Sequence, residues 1–151
     1  MEEKIQHSKF TLCAIKGIQE LDNCLDHCTI ERSLLELIKL RASQIYDCEQ
    51  CREMHTREAR TTGYTLQRLF ALKNWRESDE FNDREKAALA WTEAITSSSR
   101  QAAVDILHDD IRKIFDEQEL VAITMAVTTV DSWSRLSLTV RSFEDLADVG
   151  E

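Results

Sequence analysis

Chain punctuation is almost missing here: 151 residues contain no proline and three glycines, Gly17, Gly63 and Gly150. A sheet needs tight turns between strands, and Gly and Pro are the strongest carriers of such turns. A chain nearly without them is expected to fold as long helices joined by short polar breaks. The expected class is therefore all-α, and the length suits a single domain, residues 1–151, around one core.

Hydrophobic periodicity divides the chain into about six to seven helices. Phe10, Ala14, Ile15, Ile18 and Leu21 share one face over 8–22. Leu34, Leu35, Leu37, Ile38, Ala42 and Ile45 mark a stronger helix over 31–46. Asp47 stands as an N-cap for a third helix running to about Thr62, with Gly63 as its C′ residue. Thr65 to Trp75 reads as a fourth helix, on Leu66, Leu69, Phe70 and Leu72. Asn82 caps a fifth through Ile95, "TSSSRQ" breaks it, and Val104, Leu107, Ile111, Ile114 and Phe115 mark a sixth. Asp116 and Glu119 resemble a capping box opening a last helix over 117–142. That segment is apolar on several faces, which places it centrally or in a subunit contact. Trp91 and Trp133 read as packing residues of these helices.

The formal net charge is −9, with no cluster of Lys and Arg to offset it, so no nucleic-acid partner is expected. The N-terminal residues lack the apolar stretch of a signal peptide. The longest nearly apolar run, Leu120 to Val127, falls far short of a membrane span. A cytoplasmic protein without membrane partners is the expectation.

Five cysteines, Cys13, Cys24, Cys28, Cys48 and Cys51, make an odd count that argues against a secreted disulfide framework. The informative stretch is "YDCEQCREMH". With Asp47 as N-cap, Cys48 and Cys51 fall in the first turn of the third helix. Cys51 and His55 are four apart and neighbours on one face. Helix N–H groups and the macrodipole favour thiolate over thiol there, and an adjacent imidazole can take the thiol proton. Such a thiolate can be oxidised to a sulfenic acid, which a second thiol condenses to a disulfide.

Zinc is a rival reading. Cys48, Cys51 and His55 could supply three ligands, leaving a fourth to come from elsewhere. A four-thiolate site with Cys24 and Cys28 is opposed by geometry, because a continuous helix over 31–46 separates the pairs by about 24 Å at ~1.5 Å per residue. Cys13, Cys24 and Cys28 read as packing or loop cysteines, with Cys24, His27 and Cys28 as a metal or accessory redox pair the alternative.

Upstream, Glu36 completes the pattern Glu36-x11-Cys48-x2-Cys51-x3-His55. Together with "LIKLRASQIYDCEQCREMHTREART", "FNDREKAALAWTEAIT" and "SWSRLSLTVRSF", this resembles the AhpD-like alkylhydroperoxidases within the carboxymuconolactone decarboxylase family. The likeness covers roughly residues 30–142, with 1–29 a weakly matched helical segment.

The resemblance implies an AhpD-like helical fold, with the Cys-x-x-Cys at a helix N-terminus, assembled as a homo-trimer or hexamer. It also implies antioxidant hydroperoxide reduction without metal or organic cofactor, driven by an external dithiol or thioredoxin-like reductant. By the family pattern Cys51 is the peroxidatic cysteine and Cys48 its disulfide partner. His55 relays the Cys51 proton toward Glu36. The helix dipole taken alone would favour Cys48 as the more acidic thiol, whereas the i,i+4 placement of His55 favours Cys51. A glutamate between Leu35 and Leu37, buried beside His55, is expected to have its pKa raised by desolvation.

Two departures from the family stand out. Glu49-Gln50 occupies the place where characterised members carry a second histidine, and Ser134-Arg135 stands where many relatives have Asn-Arg. The decarboxylase branch lacks the redox cysteines. The readings kept beside hydroperoxide reduction are decarboxylase-like chemistry, thiol–disulfide oxidoreduction, and a non-catalytic zinc-binding or redox-sensing helical protein.

Overall fold

The computed structural model describes residues 8–140. Among them lie seven α-helices and no strand: α1 (Lys9–Cys24), α2 (Arg32–Ile45), α3 (Glu49–Thr61), α4 (Leu66–Ala71), α5 (Asp83–Thr96), α6 (Arg100–Ile111) and α7 (Glu117–Leu136). Short 3₁₀ turns follow α1, over Leu25–His27, and α4, over Leu72–Glu77.

Side chains start most of these helices. Ser8 caps α1 by accepting the Thr11 N–H, and Thr65 caps α4 by accepting that of Arg68. Asn82 with Glu85, and Asp116 with Glu119, form reciprocal capping boxes on α5 and α7. The second of these boxes is legible in the sequence; the first is visible there only as its Asn82 half.

The centre of the molecule is α2, which packs against α3, α5 and α7. Leu34, Leu35, Leu37, Ile38, Leu40 and Ala42 are all buried. The long α7 is one-sided by comparison. Leu120, Ile123, Ala126, Val127 and Val130 face the core, while Val121 is 56% exposed. Trp91 is buried as expected, and its indole N–H donates to Thr124 of α7 at 3.0 Å.

Three expectations need correction. The fourth helix is interrupted: Asn74 takes non-helical angles (φ −119°, ψ 36°) inside the 3₁₀ turn, and of its expected apolar face Phe70 is 79% exposed. Asparagine side chains compete with helix geometry, which suits this break. On α1, Ile15 is buried as expected but Phe10 is 80% exposed. The last helix ends at Leu136 and continues as a turn over 137–139; the expected positions 141 and 142 lie outside the described residues. No helix among the described residues is long and apolar enough to cross a membrane.

Candidate active site

The site is built on the joint between α2 and α3. At the end of α2 the Cys48 N–H donates to the Ser43 carbonyl at 3.1 Å, and the Asp47 N–H to that of Gln44 at 3.2 Å. This is the paired bonding of a Schellman motif, and Asp47 occupies its left-handed position with φ +51°. Asp47 is therefore the C′ residue of α2, where the sequence pattern makes it the N-cap of α3. The cap is Cys48, whose sulfur accepts the Cys51 N–H at 3.3 Å. The Asp47 carboxylate instead takes a salt bridge from Arg52 at 2.8 Å.

Cys48 and Cys51 are joined as a disulfide with Cα atoms 5.3 Å apart, inside the usual range for such a bond. Both residues are buried, and Cys51 is 1% exposed. One turn beyond Cys51 on the same face of α3 comes His55, also buried. Its Nδ1 lies 3.2 Å from Oε2 of Glu36 on α2. The four residues singled out by sequence thus converge on the α2–α3 interface.

Glu36 corrects the expectation about its charge. Burial does push its pKa upward and is the largest single influence. The hydrogen bond from His55, with the charges of Lys39, His55 and Arg32, outweighs it and holds the carboxyl below the ordinary glutamate value. Glu36 is therefore an anion near neutral pH and can only accept hydrogen bonds. Nδ1 of His55 must then be the donor, which leaves Nε2 of a neutral ring as the nitrogen able to take a proton.

Lys39 was not evident from the sequence as part of this cluster. It is buried, with Nζ 2.9 Å from Asp22 Oδ1 on α1 and 3.8 Å from Glu36 Oε1. The available signal was a lysine between Ile38 and Leu40, three residues after Glu36 on a buried arc. A cleft of about 270 Å³ between α1 and the α2–α3 pair is lined by Asp22, Asp26, Glu36, Lys39 and His55.

The remaining cysteines are elsewhere. Cys13 and Cys24 are exposed on α1, and the half-buried Cys28 thiol donates to the Leu25 carbonyl at 3.0 Å. Among the described residues no group of three or more His, Cys, Asp or Glu side chains is arranged to hold a metal ion.

A buried Cys-x-x-Cys disulfide at a helix cap, beside a His–Glu pair in an all-helical frame, defines a helical thiol–disulfide protein of the AhpD-like class. The chain belongs to the carboxymuconolactone decarboxylase family, whose sequence profile matches residues 19–94. The uncharacterized protein YdfG of Bacillus subtilis (strain 168) is 32% identical over 138 residues, 91% of this chain and 94% of that protein. YnjA of Escherichia coli (strain K12), also uncharacterized, is 29% identical over 91 residues, 60% of this chain and 50% of that one.

Among solved structures, an Agrobacterium tumefaciens protein of unknown function, to which an AhpD antioxidant-defence role has been ascribed, superposes with a TM-score of 0.78. It is 34% identical, and the match takes in 85% of this chain and 88% of that one. The debrominase Bmp8 in its apo form shares the fold at 22% identity and a TM-score of 0.72, over 88% of this chain and 75% of its own.

Proposed function

We propose that the protein is a thiol-dependent hydroperoxide reductase of the antioxidant type, recycled by an external dithiol. The observation that carries this reading is the Cys48–Cys51 disulfide set one helical turn from a buried His55–Glu36 pair. The family and the antioxidant role ascribed to the Agrobacterium tumefaciens structure support it.

The chemistry assigns each residue a task. In the reduced protein His55 Nε2 takes the Cys51 proton while Glu36 holds Nδ1 and stabilises the resulting imidazolium. The Cys51 thiolate attacks the terminal peroxide oxygen, breaking the O–O bond. It becomes a sulfenic acid, and the alkoxide leaves with the proton from His55 as an alcohol. The Cys48 thiol then displaces water from the sulfenic sulfur to form the disulfide. A dithiol reductant restores both thiols by exchange and is itself oxidised to a disulfide. No metal or organic cofactor enters this cycle.

The assembly we propose is a homo-oligomer, a trimer or hexamer, in the cytoplasm. The exposed apolar side chains of Phe70, Ile106, Val121 and Leu138 are suited to subunit contacts.

The test is thiol counting before and after one equivalent of an alkyl hydroperoxide, with peptide mass spectrometry and steady-state turnover in the presence of a dithiol. Loss of two thiols as a Cys48–Cys51 disulfide, with continuing turnover, is the expected result. One oxidation without turnover would assign a sensor instead. Unreactive thiols with stoichiometric zinc would overturn both readings.

A further inference from the structure

We propose that Lys39 is a positioning residue of this site: it holds Glu36 as a carboxylate aimed at His55, and Asp22 of α1 anchors it there. The inference rests on the hydroperoxide-reductase reading and extends it by one residue that touches neither the thiols nor the substrate.

A lysine buried between Ile38 and Leu40 needs partners, because an unpaired ammonium is costly to take out of water. Lys39 has two, on opposite sides. Its Nζ lies 2.9 Å from the half-exposed Asp22 and 3.8 Å from the buried Glu36. The two Glu36 oxygens are thereby divided: Oε2 faces His55 and Oε1 faces Lys39. A lysine serving only to tie α1 to α2 would need Asp22 alone.

The other charged groups around Glu36 cannot take over this task. From α2, Arg32 is mostly exposed and is paired with Glu58 of α3 at 3.3 Å. From α1 and the turn after it, Asp22 and Asp26 are anions, and from α3 the other facing groups are His55 and Glu58. Lys39 is thus the buried cation among the groups lining this cleft.

Sign follows from charge. Without the ammonium on Oε1, the Glu36 carboxylate is no longer held toward His55. A carboxylate turned away stabilises an imidazolium on His55 less, and the Cys51 thiolate loses its counter-charge. The acid limb of Cys51 thiolate formation then moves to higher pH.

The experiment uses the reduced full chain carrying Cys48→Ser. Its ultraviolet thiolate absorbance is titrated with pH and referenced to Cys48→Ser/Cys51→Ser, so that Cys13, Cys24 and Cys28 cancel. Lys39→Met and Lys39→Gln are each expected to shift the Cys51 limb upward by about one pH unit, the scale of one nearby opposite charge. Lys39→Arg, which keeps the charge, is expected to leave it in place. The glutamine variant can still hydrogen-bond Asp22 and guards against misfolding of the methionine one. An unmoved limb, or loss of helical structure in both neutral variants, would overturn the proposal in favour of a structural tie. Peroxide turnover by the unsubstituted protein is measured in parallel. A shifted limb without turnover would sink the reductase reading alone, and turnover with an unmoved limb would sink the Lys39 assignment alone.

Discussion

Nδ1 of His55 stands 3.2 Å from Oε2 of Glu36, across the α2–α3 joint, with both side chains more than nine-tenths buried. Nineteen residues separate them in sequence, yet the antiparallel helices bring them into register. The pair is a hydrogen-bonded carboxylate and imidazole of the sort that moves a proton at constant geometry.

Replacing either cysteine should divide the catalytic cycle. Cys51→Ser is expected to abolish peroxide consumption. Cys48→Ser should consume about one equivalent per chain and stop, because the sulfenic acid has no resolving thiol. Stopped-flow peroxide loss and mass spectrometry of the product check both, and a Cys51→Ser protein that still turns over would reassign the attacking sulfur.

Glu36→Gln keeps the shape and removes the anion. With His55 less able to hold a proton, peroxide turnover should fall by roughly a hundredfold, at the lower end of what general acid–base groups contribute. Folding stability measured by urea should change far less than turnover. A variant as active as the parent would remove Glu36 from the relay.

Acid should destabilise the protein through specific carboxylates. Glu36 and Glu93 are both held below the ordinary glutamate value of 4.5: burial opposes this in each, but the hydrogen bonds and charges of their partners prevail. For Glu93 these partners are Trp75, Arg76 and Arg41. A depressed folded pKa means the unfolded chain binds protons first. The contribution is complete above 4.5 and is lost as pH falls through the folded values. Urea midpoints measured downward from about pH 6 should therefore hold and then drop, and Glu93→Gln should flatten the drop.

The contact between Tyr64 and Glu85 sets a second stability test. The Tyr64 hydroxyl donates to Glu85, and Arg68 reaches both carboxylate oxygens at 2.9 and 3.0 Å. Burial, and then Glu85 itself, pushes the tyrosine pKa well up, so Tyr64 stays a donor at any ordinary pH. Tyr64→Phe should cost about 1–2 kcal/mol, since Glu85 keeps Arg68. Glu85→Ala should cost more, about 3 kcal/mol, because it deprives the buried Tyr64 and the half-buried Arg68 of their partner and removes half a capping box. Denaturant melts of the two variants decide the order.

Asp47 tests the joint itself. Its φ of +51° suits glycine and is tolerated by aspartate, but strains a β-branched residue. Asp47→Gly should stay within about 0.5 kcal/mol of the parent, while Asp47→Val should lose about 1–2 kcal/mol. Equal stability of the two would contradict the left-handed assignment.

Much of this architecture was legible because helix signals are local. Periodic leucines located α2, and the Asp116–Glu119 spacing located the start of α7. What escaped depends on backbone angles and on contacts between helices. Asp47 is a common capping residue and Cys48 an uncommon one, so a pattern reading assigns the cap to the wrong neighbour by one position. Phe10 and Phe70 fit apolar stripes, yet both stay largely exposed among the described residues. Spacing puts Cys48, Cys51 and His55 on one helical stripe, and the family resemblance adds Glu36. Lys39 was not legible, because a lone lysine on a helix ordinarily lies in water, and only the fold shows that α1 brings Asp22 over it. The charge of Glu36 escapes the sequence for the same reason.

Cys48 carries three duties in one residue. Its N–H closes α2 on Ser43, its sulfur caps α3 through the Cys51 amide, and the same sulfur is half of the disulfide. Oxidation and reduction therefore change the acceptor seen by one particular backbone proton. Bonded to a second sulfur in the disulfide and carrying a proton once reduced, that acceptor makes the Cys51 amide a built-in gauge. Its chemical shift and its rate of exchange with deuterated water will track the electron count of the pair without any added label.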